Sequence, residues 1–449
     1  MPLVSVIMPS LNVGSYIEKC LTSVMNQSIK DIEIICIDAG STDGTLEIIK
    51  KYAELDQRIA VINSKVRSYG YQVNLGIKCA KGDYIAILET DDWIESGMYE
   101  MLYNVAVESK LDYVVADFDY AYELKDNKIC FSRYRQFSKN TDMYNTVLLQ
   151  DEINKLRASD YLLWKGIYNR QFILQNKITL HESPKAAYQD MGFLQQVKTY
   201  AQRAMYIDKS FYRYRTGRVG SSTCSLNGML FYMNEFMWIN NDLGLLADLS
   251  DIQETYYFYT MSVAFYYNYC KILFMLNWNY KDECLSVPYQ WFSEQLKSAI
   301  HEKIIYKKIY DNALWLGLNE LLDSEIKFAI KMKCKYEHDM EEYLLWEKKI
   351  ENKKVLVFGC GLIGSKTLRI CDIRNITIEA FVDNNIMRQQ DGYNGYSVIS
   401  VEQIKELGLM EDYVIILAVK NDKEKIINQL RYNEVICEIV DYPIDVVLM

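Results

Sequence analysis

The first hundred residues alternate between short apolar runs and segments in which apolar residues recur at helical spacing. The runs have the length and the β-branched and aliphatic content of buried strands, and they are Val4–Met8, Ile32–Ile37, Ile59–Asn63 and Tyr84–Leu88. The segments between them have helical periodicity, and they are Ser15–Asn26, Thr45–Leu55 and Tyr71–Ala80. This alternation predicts a mainly parallel, doubly wound α/β sheet.

The pattern changes twice further along the chain. Residues 100–225 carry mixed elements, including the strand Tyr113–Phe118, and residues 226–350 are almost wholly helical in pattern. Glu341–Lys354 mixes charges of both signs before an apolar strand begins at Val355. We therefore predict three regions: an α/β domain over 1–225, a helical region over 226–350 and a second, smaller domain over 351–449.

The third region opens with a glycine-rich turn after its first strand. Gly359, Gly361 and Gly364 form a Gly-x-Gly-x-x-Gly motif, a helical pattern follows, and the next strand, Ile378–Val382, ends at Asp383. Strand, glycines, helix, strand and acid in this order predict a small Rossmann-like domain, with these four residues as candidate ligand contacts. The glycines also serve helix–sheet packing, and about one hundred residues leave no obvious catalytic half for hydride transfer. A regulatory, assembly or small-ligand role is favoured over that of a dehydrogenase.

Composition narrows the class of protein. Half of the 449 residues are apolar and about a quarter are charged, which is typical of a globular chain. A net charge of −10 argues against nucleic acid as a partner. The eleven cysteines include no C-x-x-C pair, which favours a reducing, cytoplasmic location over a disulfide framework. The 37 tyrosines suit carbohydrate stacking or a wet interface, although core packing is their ordinary use.

One apolar segment, Tyr256–Leu276, is about long enough to span a bilayer. It contains Asn268, Lys271 and six tyrosines, so we predict a buried helix. An interfacial helix, and with it peripheral contact with the inner face of a membrane, is the alternative.

Candidate chemistry lies where predicted strands end. The run Tyr84–Leu88 leads into Glu89-Thr90-Asp91-Asp92, the strand Ile32–Ile37 leads into Asp38, and Pro9 and Asn12 follow the first strand. Carboxyl ends of parallel strands share one sheet edge, so these groups are expected to converge on one crevice. Three acids this close repel unless a cation or hydrogen-bond donors share the site, and oxygen ligands suit Mg²⁺ or Mn²⁺ holding a diphosphate. An acidic loop or helix cap is the alternative.

At these positions the chain resembles the inverting family-two glycosyltransferases of GT-A fold over roughly residues 3–225. The resemblance rests on Val4–Pro9 with Asn12, the run from Asp38 through Gly40 to Thr45, Asn74-x-Gly76, Ala80-x-Gly82-Asp83-Tyr84-Ile85, and Glu89–Asp92. It implies that Asp38 binds the nucleobase, that Glu89 lies near the ribose, and that Asp91 binds Mn²⁺ or Mg²⁺ with Asp92 in support. The implied donor-binding set is Pro9, Asn12, Asp38, Gly40, Asn74, Glu89 and Thr90. The family usually has aspartate where Glu89 stands.

The resemblance also extends to downstream segments. Trp164 and Lys165 look like part of the acceptor-side segment, and Asp190 occupies the place of the catalytic base, with Gln189 where the family usually has glutamate. An aspartate capping the apolar stretch Met191–Val197 is the alternative for Asp190. Tyr214 and Arg215 or Arg218 resemble the closing segment. Such an arginine is expected to contact phosphate, with a surface salt bridge as the alternative.

Together these observations predict a cytoplasmic, metal-dependent enzyme that transfers a sugar from a nucleoside diphosphate to a glycan or glycoprotein by single displacement. A UDP-sugar is preferred because the family most often uses uridine, and a homo-oligomer is compatible with the sequence. The C-terminal region resembles Rossmann-like domains appended to several sugar-modifying enzymes. Two alternatives stay open: a non-catalytic scaffold for polysaccharide assembly, and an NAD-linked oxidoreductase acting through the C-terminal domain.

Overall fold

The computed structural model describes residues 1–125, 127–138, 140–156, 162–184, 188–217, 225–407 and 412–442. The chain forms two compact units, one of Met1–Asp119 with Tyr134–Ala329 and one of Tyr120–Arg133 with Ile330–Met449. This division differs from the predicted boundaries at 225 and 350. The second unit includes residues before 350 because Trp346, together with Cys130 of the segment Tyr120–Arg133, is buried in its core. The predicted boundary at 225 stays a prediction.

The amino-terminal half of the first unit is the predicted doubly wound fold. Its elements are β1 (Val4–Ser10), α1 (Ile17–Met25), β2 (Ile32–Asp38), α2 (Thr45–Leu55), β3 (Ile59–Asn63), α3 (Tyr69–Cys79) and β4 (Tyr84–Ile87). Strand β1 pairs in parallel with β2 and with β4, and β2 pairs in parallel with β3. A Cβ on Gly76 would come within 2.4 Å of Ile7 Cγ2, so glycine lets α3 pack closely onto this sheet.

The first sheet also contains the antiparallel pairs β4–β9, β9–β6, β10–β5 and β10–β8, which makes the sheet mixed. Strand β9 pairs antiparallel with both β4 and β6, in the order β3-β2-β1-β4-β9-β6-β10-β5, with β7 on β6 and β8 on β10. The elements are β5 (Trp93–Ile94), α4 (Met98–Ser109), β6 (Tyr113–Glu123), β7 (Ile129–Tyr134), β8 (Val147–Leu149), α5 (Gln150–Ile153), β9 (Gly166–Asn169), α6 (Arg170–Gln175), α7 (Gln189–Tyr200) and β10 (Arg203–Thr216).

The predicted helical region is helical. It comprises α8 (Gly228–Met237), a π-helical turn (Trp238–Asp242), α9 (Asp251–Met275), α10 (Glu283–His301), α11 (Asn312–Asp323) and α12 (Glu325–Ile350). Tyr257, Phe265 and Tyr269 of α9 are buried, as expected of a core helix. Within the described ranges, no helix combines the length and the apolar character that crossing a bilayer would require.

The second unit contains a separate parallel sheet of five strands in the order β13-β12-β11-β14-β15. This order is that of the first five strands of a doubly wound dinucleotide-binding sheet. The elements are β11 (Lys354–Phe358), α13 (Leu362–Ile373), β12 (Ile378–Val382), α14 (Ile386–Asp391), β13 (Val398–Ile399), β14 (Tyr413–Leu417), α15 (Lys423–Tyr432) and β15 (Glu438–Asp441).

Candidate active site

The carboxyl ends of β1 and β2 place Asp38 at the edge of the first sheet. Ser10 is the register partner of Asp38, and the buried Gln72 amide donates to the carbonyls of Ser10 (3.1 Å) and Ile37 (2.6 Å), which ties the two strand ends together. Asp38 Oδ2 accepts the backbone N–H groups of Gly40 (2.9 Å) and Ser41 (3.0 Å). Asp38 Oδ1 is buried without a hydrogen-bond partner in the described structure. A buried acceptor left in this state is costly, which marks a place for a ligand donor.

The loop after β2 is shaped by Gly40 and Asn12. Gly40 has a φ of +79°, a conformation that favours glycine, and its carbonyl accepts from Arg67 Nη2 at 3.0 Å. Asn12 Oδ1 accepts from the Thr42 N–H at 2.9 Å, and the Asn12 N–H donates to Ser41 Oγ at 3.0 Å. Asn12 therefore holds the loop that carries Asp38 in place.

The acid loop, residues 89–92, is anchored beside β1. The buried Thr90 hydroxyl donates to the Pro9 carbonyl at 2.8 Å. Asp92 Oδ2 accepts from the Tyr212 hydroxyl at 2.8 Å and Asp92 Oδ1 accepts from the Arg215 N–H at 2.7 Å. Burial, reinforced by the neighbouring Asp91 charge, raises the pKa of Asp92 well above its usual range. Both Asp92 oxygens are therefore engaged by the protein, which fits support of the loop, and the half-buried Asp91 stays the predicted metal ligand.

Glu89 is held between two tyrosines. Its carboxylate accepts from the Tyr69 hydroxyl, and its N–H donates to the Tyr212 oxygen at 3.3 Å. Burial raises the pKa of Tyr69, and the charges of Glu89 and then Asp190 raise it further. Tyr69 therefore lies within the electrostatic reach of both carboxylates, which connects the acid loop with Asp190.

Trp164 and Lys165 lie beneath the site. Trp164 is 5% exposed and stacks on Tyr212 (4.1 Å between centroids) and on Tyr214 (5.2 Å). Lys165 is 2% exposed, and its ammonium donates to Gln136 Oε1 at 3.3 Å. The burial of Trp164 and Lys165 does not favour the predicted phosphate or acceptor contacts for these two residues. Tyr214 is half-buried, and its predicted contact stays a prediction.

Two cations flank the acid loop. The Arg215 guanidinium lies 4.8 Å from the Tyr16 ring centroid and 5.2 Å from that of Trp93, and Arg215 Nε donates to the Asp91 carbonyl at 3.0 Å. Lys19 Nζ lies 3.3 Å from the Trp93 centroid. Burial lowers the pKa of Lys19, and the nearby Arg215 charge lowers it further. Cations brought this close favour an anion between or beside them. The phosphate contact of Arg215 stays a prediction, and Arg218 lies outside the described residues.

Asp190 occupies the first turn of α7. The helix is preceded by Tyr188, which has a φ of +65° and stacks on Tyr232 at 3.9 Å between centroids. Gln189, at the position where glutamate was expected, donates to Ser183 Oγ at 2.8 Å. Burial, with a further contribution from the charge of Glu235, raises the pKa of Asp190 to about 7. A carboxylate with this pKa is well matched to proton abstraction near neutral pH.

Sequence reasoning missed a set of side chains behind Asp190. Glu235 of α8 is 1% exposed, and its Oε2 lies 3.0 Å from His181 Nδ1. His181 in turn stacks in parallel on Trp238, with 4.8 Å between ring centroids. Burial raises the pKa of Glu235, and His181 opposes this shift. The sequence offered no signal beyond single polar residues in an apolar helix, because the pairing depends on tertiary packing.

Replacing Glu235 tests its influence on Asp190. Glu235→Gln removes a negative charge, so the pKa of Asp190 should fall and the acid limb of the rate–pH profile should move to lower pH. Turnover at pH 6 is expected to rise roughly twofold relative to the plateau value, because less of the base is protonated. Glu294→Gln, at an exposed position on α10, is the matched control and should leave the profile unchanged. A limb that stays in place in Glu235→Gln would contradict the coupling.

Asn74 differs from its predicted role. Its Nδ2 donates to the Leu180 carbonyl and to Glu182 Oε1, each at 2.9 Å, and its Oδ1 accepts from the Leu180 N–H at 2.9 Å. The amide is therefore engaged on both sides by the segment next to His181. This arrangement assigns Asn74 to positioning that segment rather than to direct donor contact.

The glycine-rich turn of the second unit is satisfied by its own chain. Asp383 Oδ2 accepts from the Cys360 N–H at 2.8 Å and Asp383 Oδ1 accepts from the Asn385 N–H at 2.9 Å. A Cβ on Gly364 would lie 2.1 Å from the Gly359 carbonyl oxygen, so this glycine serves close packing. A Cβ on Gly361 would have no neighbour within 4 Å. With both Asp383 oxygens engaged, the ligand role of these four residues stays a prediction.

The described residues contain no group of three or more His, Cys, Asp or Glu side chains arranged to hold a metal ion. Asp91 is the predicted carboxylate ligand for a cation at this site. This donor set fits Mg²⁺ or Mn²⁺ in the mode in which one or two carboxylates and substrate phosphates complete the coordination.

Comparison with known proteins decides the family. The family model described as "Glycosyl transferase family 2" matches residues 5–161. The chain is 30% identical to glycosyltransferase GlyG of Streptococcus pneumoniae over 227 residues, which cover 47% of this chain and 70% of GlyG. The chain belongs to glycosyltransferase family 2. Homologous glycosyltransferases of this family indicate transferase activity.

Other family-two relatives differ in how much they cover. The cholesterol galactosyltransferase of Borreliella burgdorferi is 26% identical over 71% of this chain and 88% of its own length. GlyA of Streptococcus pneumoniae is 28% identical over 47% of this chain, and the matched part is only 30% of the length of GlyA. Residues 351–436 match a separate family described as "C2185-like, N-terminal".

A solved structure supports the GT-A fold of the family-two domain. S. aureus TarS 1-349, in complex with UDP-GlcNAc, aligns with a TM-score of 0.52 at 18% identity and covers 74% of this chain and 89% of that one. The likeness confirms the fold expected from the sequence.

Proposed function

We propose that this protein is an inverting, metal-assisted glycosyltransferase that uses a UDP-sugar and transfers the sugar to a glycan or glycoprotein. The observation that carries the proposal is the buried, unpartnered Asp38 Oδ1 at the sheet edge that also carries Asp91. An aspartate oxygen accepts hydrogen bonds, and the ring imide N–H of uracil is such a donor. Guanine donates through its ring lactam N–H, and adenine and cytosine donate through exocyclic amino groups, so this acceptor alone admits each of these bases. Uridine is proposed because the family that the sequence resembles most often uses it.

The diphosphate would lie between Asp91 and the two cations. Mg²⁺ or Mn²⁺ bound by Asp91 would supply Lewis-acid stabilisation of the departing diphosphate, which is worth several kcal/mol. Arg215 and Lys19 add positive charge beside the same loop, and Asp92 and Tyr212 fix the loop in position. The positive charges of Arg215 and Lys19 would stabilise the negative charge that develops on the diphosphate as the bond between sugar and phosphate breaks.

Asp190 supplies the proton acceptor. As the acceptor hydroxyl attacks the anomeric carbon, its proton passes to the Asp190 carboxylate, and the diphosphate leaves from the opposite face. One displacement of this kind inverts the anomeric centre, so an α-linked donor gives a β-linked product. The raised pKa of Asp190, about 7, makes it a stronger base than an ordinary aspartate.

A donor screen tests the proposal. UDP-, GDP- and CMP-sugars are incubated with the full chain, with and without Mn²⁺, and the released nucleotide is measured. We expect slow hydrolysis of UDP-sugars that requires Mn²⁺, and at least about tenfold weaker UDP-sugar binding in Asp38→Asn, because a buried acceptor is lost. Asp31→Asn, at an exposed position before β2, is the control.

Each other result of the screen has a defined meaning. Hydrolysis of GDP-sugars alone would mean that the donor carries guanosine rather than uridine. An unaltered affinity of Asp38→Asn for UDP-sugar would contradict the assignment of Asp38 to the nucleobase contact. Absence of any donor binding or hydrolysis would favour the scaffold alternative. The cytoplasmic location, the contact with a membrane and the homo-oligomer remain predictions.

A further inference from the structure

An open groove of about 430 Å³ lies beside helix α3 in the first unit. Its described lining includes two aromatic rings, those of His181 and Trp238, and two carboxylates, those of Glu182 and Asp242. The volume is within the range of small-molecule sites. These four residues lie outside residues 5–161, so the match to the family model assigns them no role.

The two rings are held in place by their neighbours. His181 stacks on Trp238 at an interplanar angle of 2°, with 4.8 Å between ring centroids. A Cβ on Gly192 of α7 would lie 2.5 Å from Trp238 Cζ3, so this helix packs directly against the indole. His181 Nδ1 lies 3.0 Å from Oε2 of the buried Glu235. Because the rings are fixed before a ligand arrives, less side-chain freedom is lost on binding.

The groove carries negative charge. Asp242 is exposed, and its carboxylate makes no hydrogen bond or ion pair within the part of the chain that the structure describes. Glu182 is also exposed, and its Oε1 accepts from Asn74 Nδ2 at 2.9 Å. The described lining includes no lysine or arginine, and a proton on His181 would be balanced by the charge of Glu235. The groove therefore attracts cations and repels phosphates.

Aromatic rings and carboxylates in one groove favour an organic cation as the ligand. A quaternary or protonated amine is attracted both to the π electrons of a ring and to a carboxylate, and its carbon atoms suit an apolar surface. A bare metal ion fits less well, because the described residues include no cluster of three or more His, Cys, Asp or Glu side chains placed to hold one. The amine is therefore the class of ligand that uses both parts of the lining.

We propose that this groove is a binding site for an organic cation, with a quaternary or protonated amine as the recognised group. Trp238 supplies the aromatic surface, and Asp242 and Glu182 supply the counter-charges. His181, paired with Glu235, holds the indole in its orientation. Binding at this groove does not require the proposed transfer reaction, so it is tested without a sugar donor.

Choline and its uncharged carbon isostere, neohexanol, separate recognition of charge from simple apolar binding. Each is titrated onto the full chain and followed by saturation-transfer NMR, with putrescine as the primary-amine probe. We expect choline or putrescine to bind at least about fivefold more tightly than neohexanol. Asp242→Asn and Trp238→Leu should each weaken amine binding about threefold. Asp251→Asn, an exposed aspartate outside the described lining, is the matched control and should leave amine binding unchanged.

Two results would overturn the amine site. One is an affinity for both amines that does not exceed the affinity for neohexanol. The other is amine binding that neither Asp242→Asn nor Trp238→Leu weakens. Asp242→Asn changes an exposed side chain, so the test remains decisive if Trp238→Leu does not fold. UDP-sugar binding is measured on separate samples, and its absence in the wild-type chain would contradict the proposed function without affecting the amine site.

Discussion

Asp190→Asn is expected to lower the turnover number by about 10²–10⁴ while leaving the dissociation constant of the UDP-sugar within twofold of wild type. Asparagine has nearly the shape of aspartate but cannot accept the acceptor's proton. The carboxylate sits at the start of α7 with a pKa of about 7, so its protonation state changes near neutral pH. Turnover is measured at saturating donor and acceptor, and donor affinity by calorimetry.

The matched control for this variant is Asp251→Asn. Asp251 lies in the first turn of α9, where an aspartate makes the same favourable interaction with the helix dipole, and it is exposed. If Asp251→Asn retains full turnover, a loss in Asp190→Asn reflects chemistry rather than helix stability. A variant whose donor affinity falls while turnover holds would show that Asp190 is not the base.

Asp91→Ala is expected to reduce transfer by about 10³ or more and to remove the Mn²⁺ dependence of UDP-sugar binding. Asp91 is the predicted metal ligand of the acid loop, whereas the Tyr212 hydroxyl and the Arg215 N–H engage both Asp92 oxygens. Loss of the metal's charge stabilisation, several kcal/mol, accounts for the expected factor. Donor affinity is measured across a Mn²⁺ titration in wild type and variant.

Asp92→Asn provides the contrast within the same loop. We expect this change to lower the free energy of unfolding by about 1–3 kcal/mol, because an amide nitrogen then faces one of two hydrogen-bond donors. Its donor binding should still respond to Mn²⁺. If Asp91→Ala kept the Mn²⁺ response and Asp92→Asn lost it, the two roles would have to be exchanged.

The local periodicity of the sequence was sufficient to predict the elements of the parallel half of the first sheet. Helix Thr45–Leu55 and strand Ile59–Asn63 have the predicted bounds, as does strand Ile378–Val382 in the sheet of the second unit, because each is a regular pattern between clear breaks. Helix α3 begins two residues earlier than predicted, at Tyr69, because the Ser68 side chain accepts from the Tyr71 N–H and caps it. The short antiparallel strands β5, β8 and β9 have two to four residues each and too little sequence to show a period.

The site was predictable where it depends on strand ends. Asp38 and the acid loop follow strands whose neighbours can be inferred, so their convergence could be expected from topology. The burial of Lys165 and the hydrogen bonds of the Asn74 amide could not be predicted, because a motif does not show which way a side chain points. Glu235 lies 54 residues after His181, and their pairing depends on the packing of α8.

The long-range hydrogen bonds of the acid loop have a consequence for biosynthesis. Asp92 is joined to partners 120 and 123 residues further along the chain, at Tyr212 and Arg215. A nascent chain that has emerged only as far as strand β4 contains the parallel strands and the loop that carries Asp38. It still lacks the residues that fix the acid loop. Closing such distant contacts is slow compared with local folding. For the proposed function, we therefore expect competence to transfer sugar to arise late in synthesis, after strand β10 has joined the sheet.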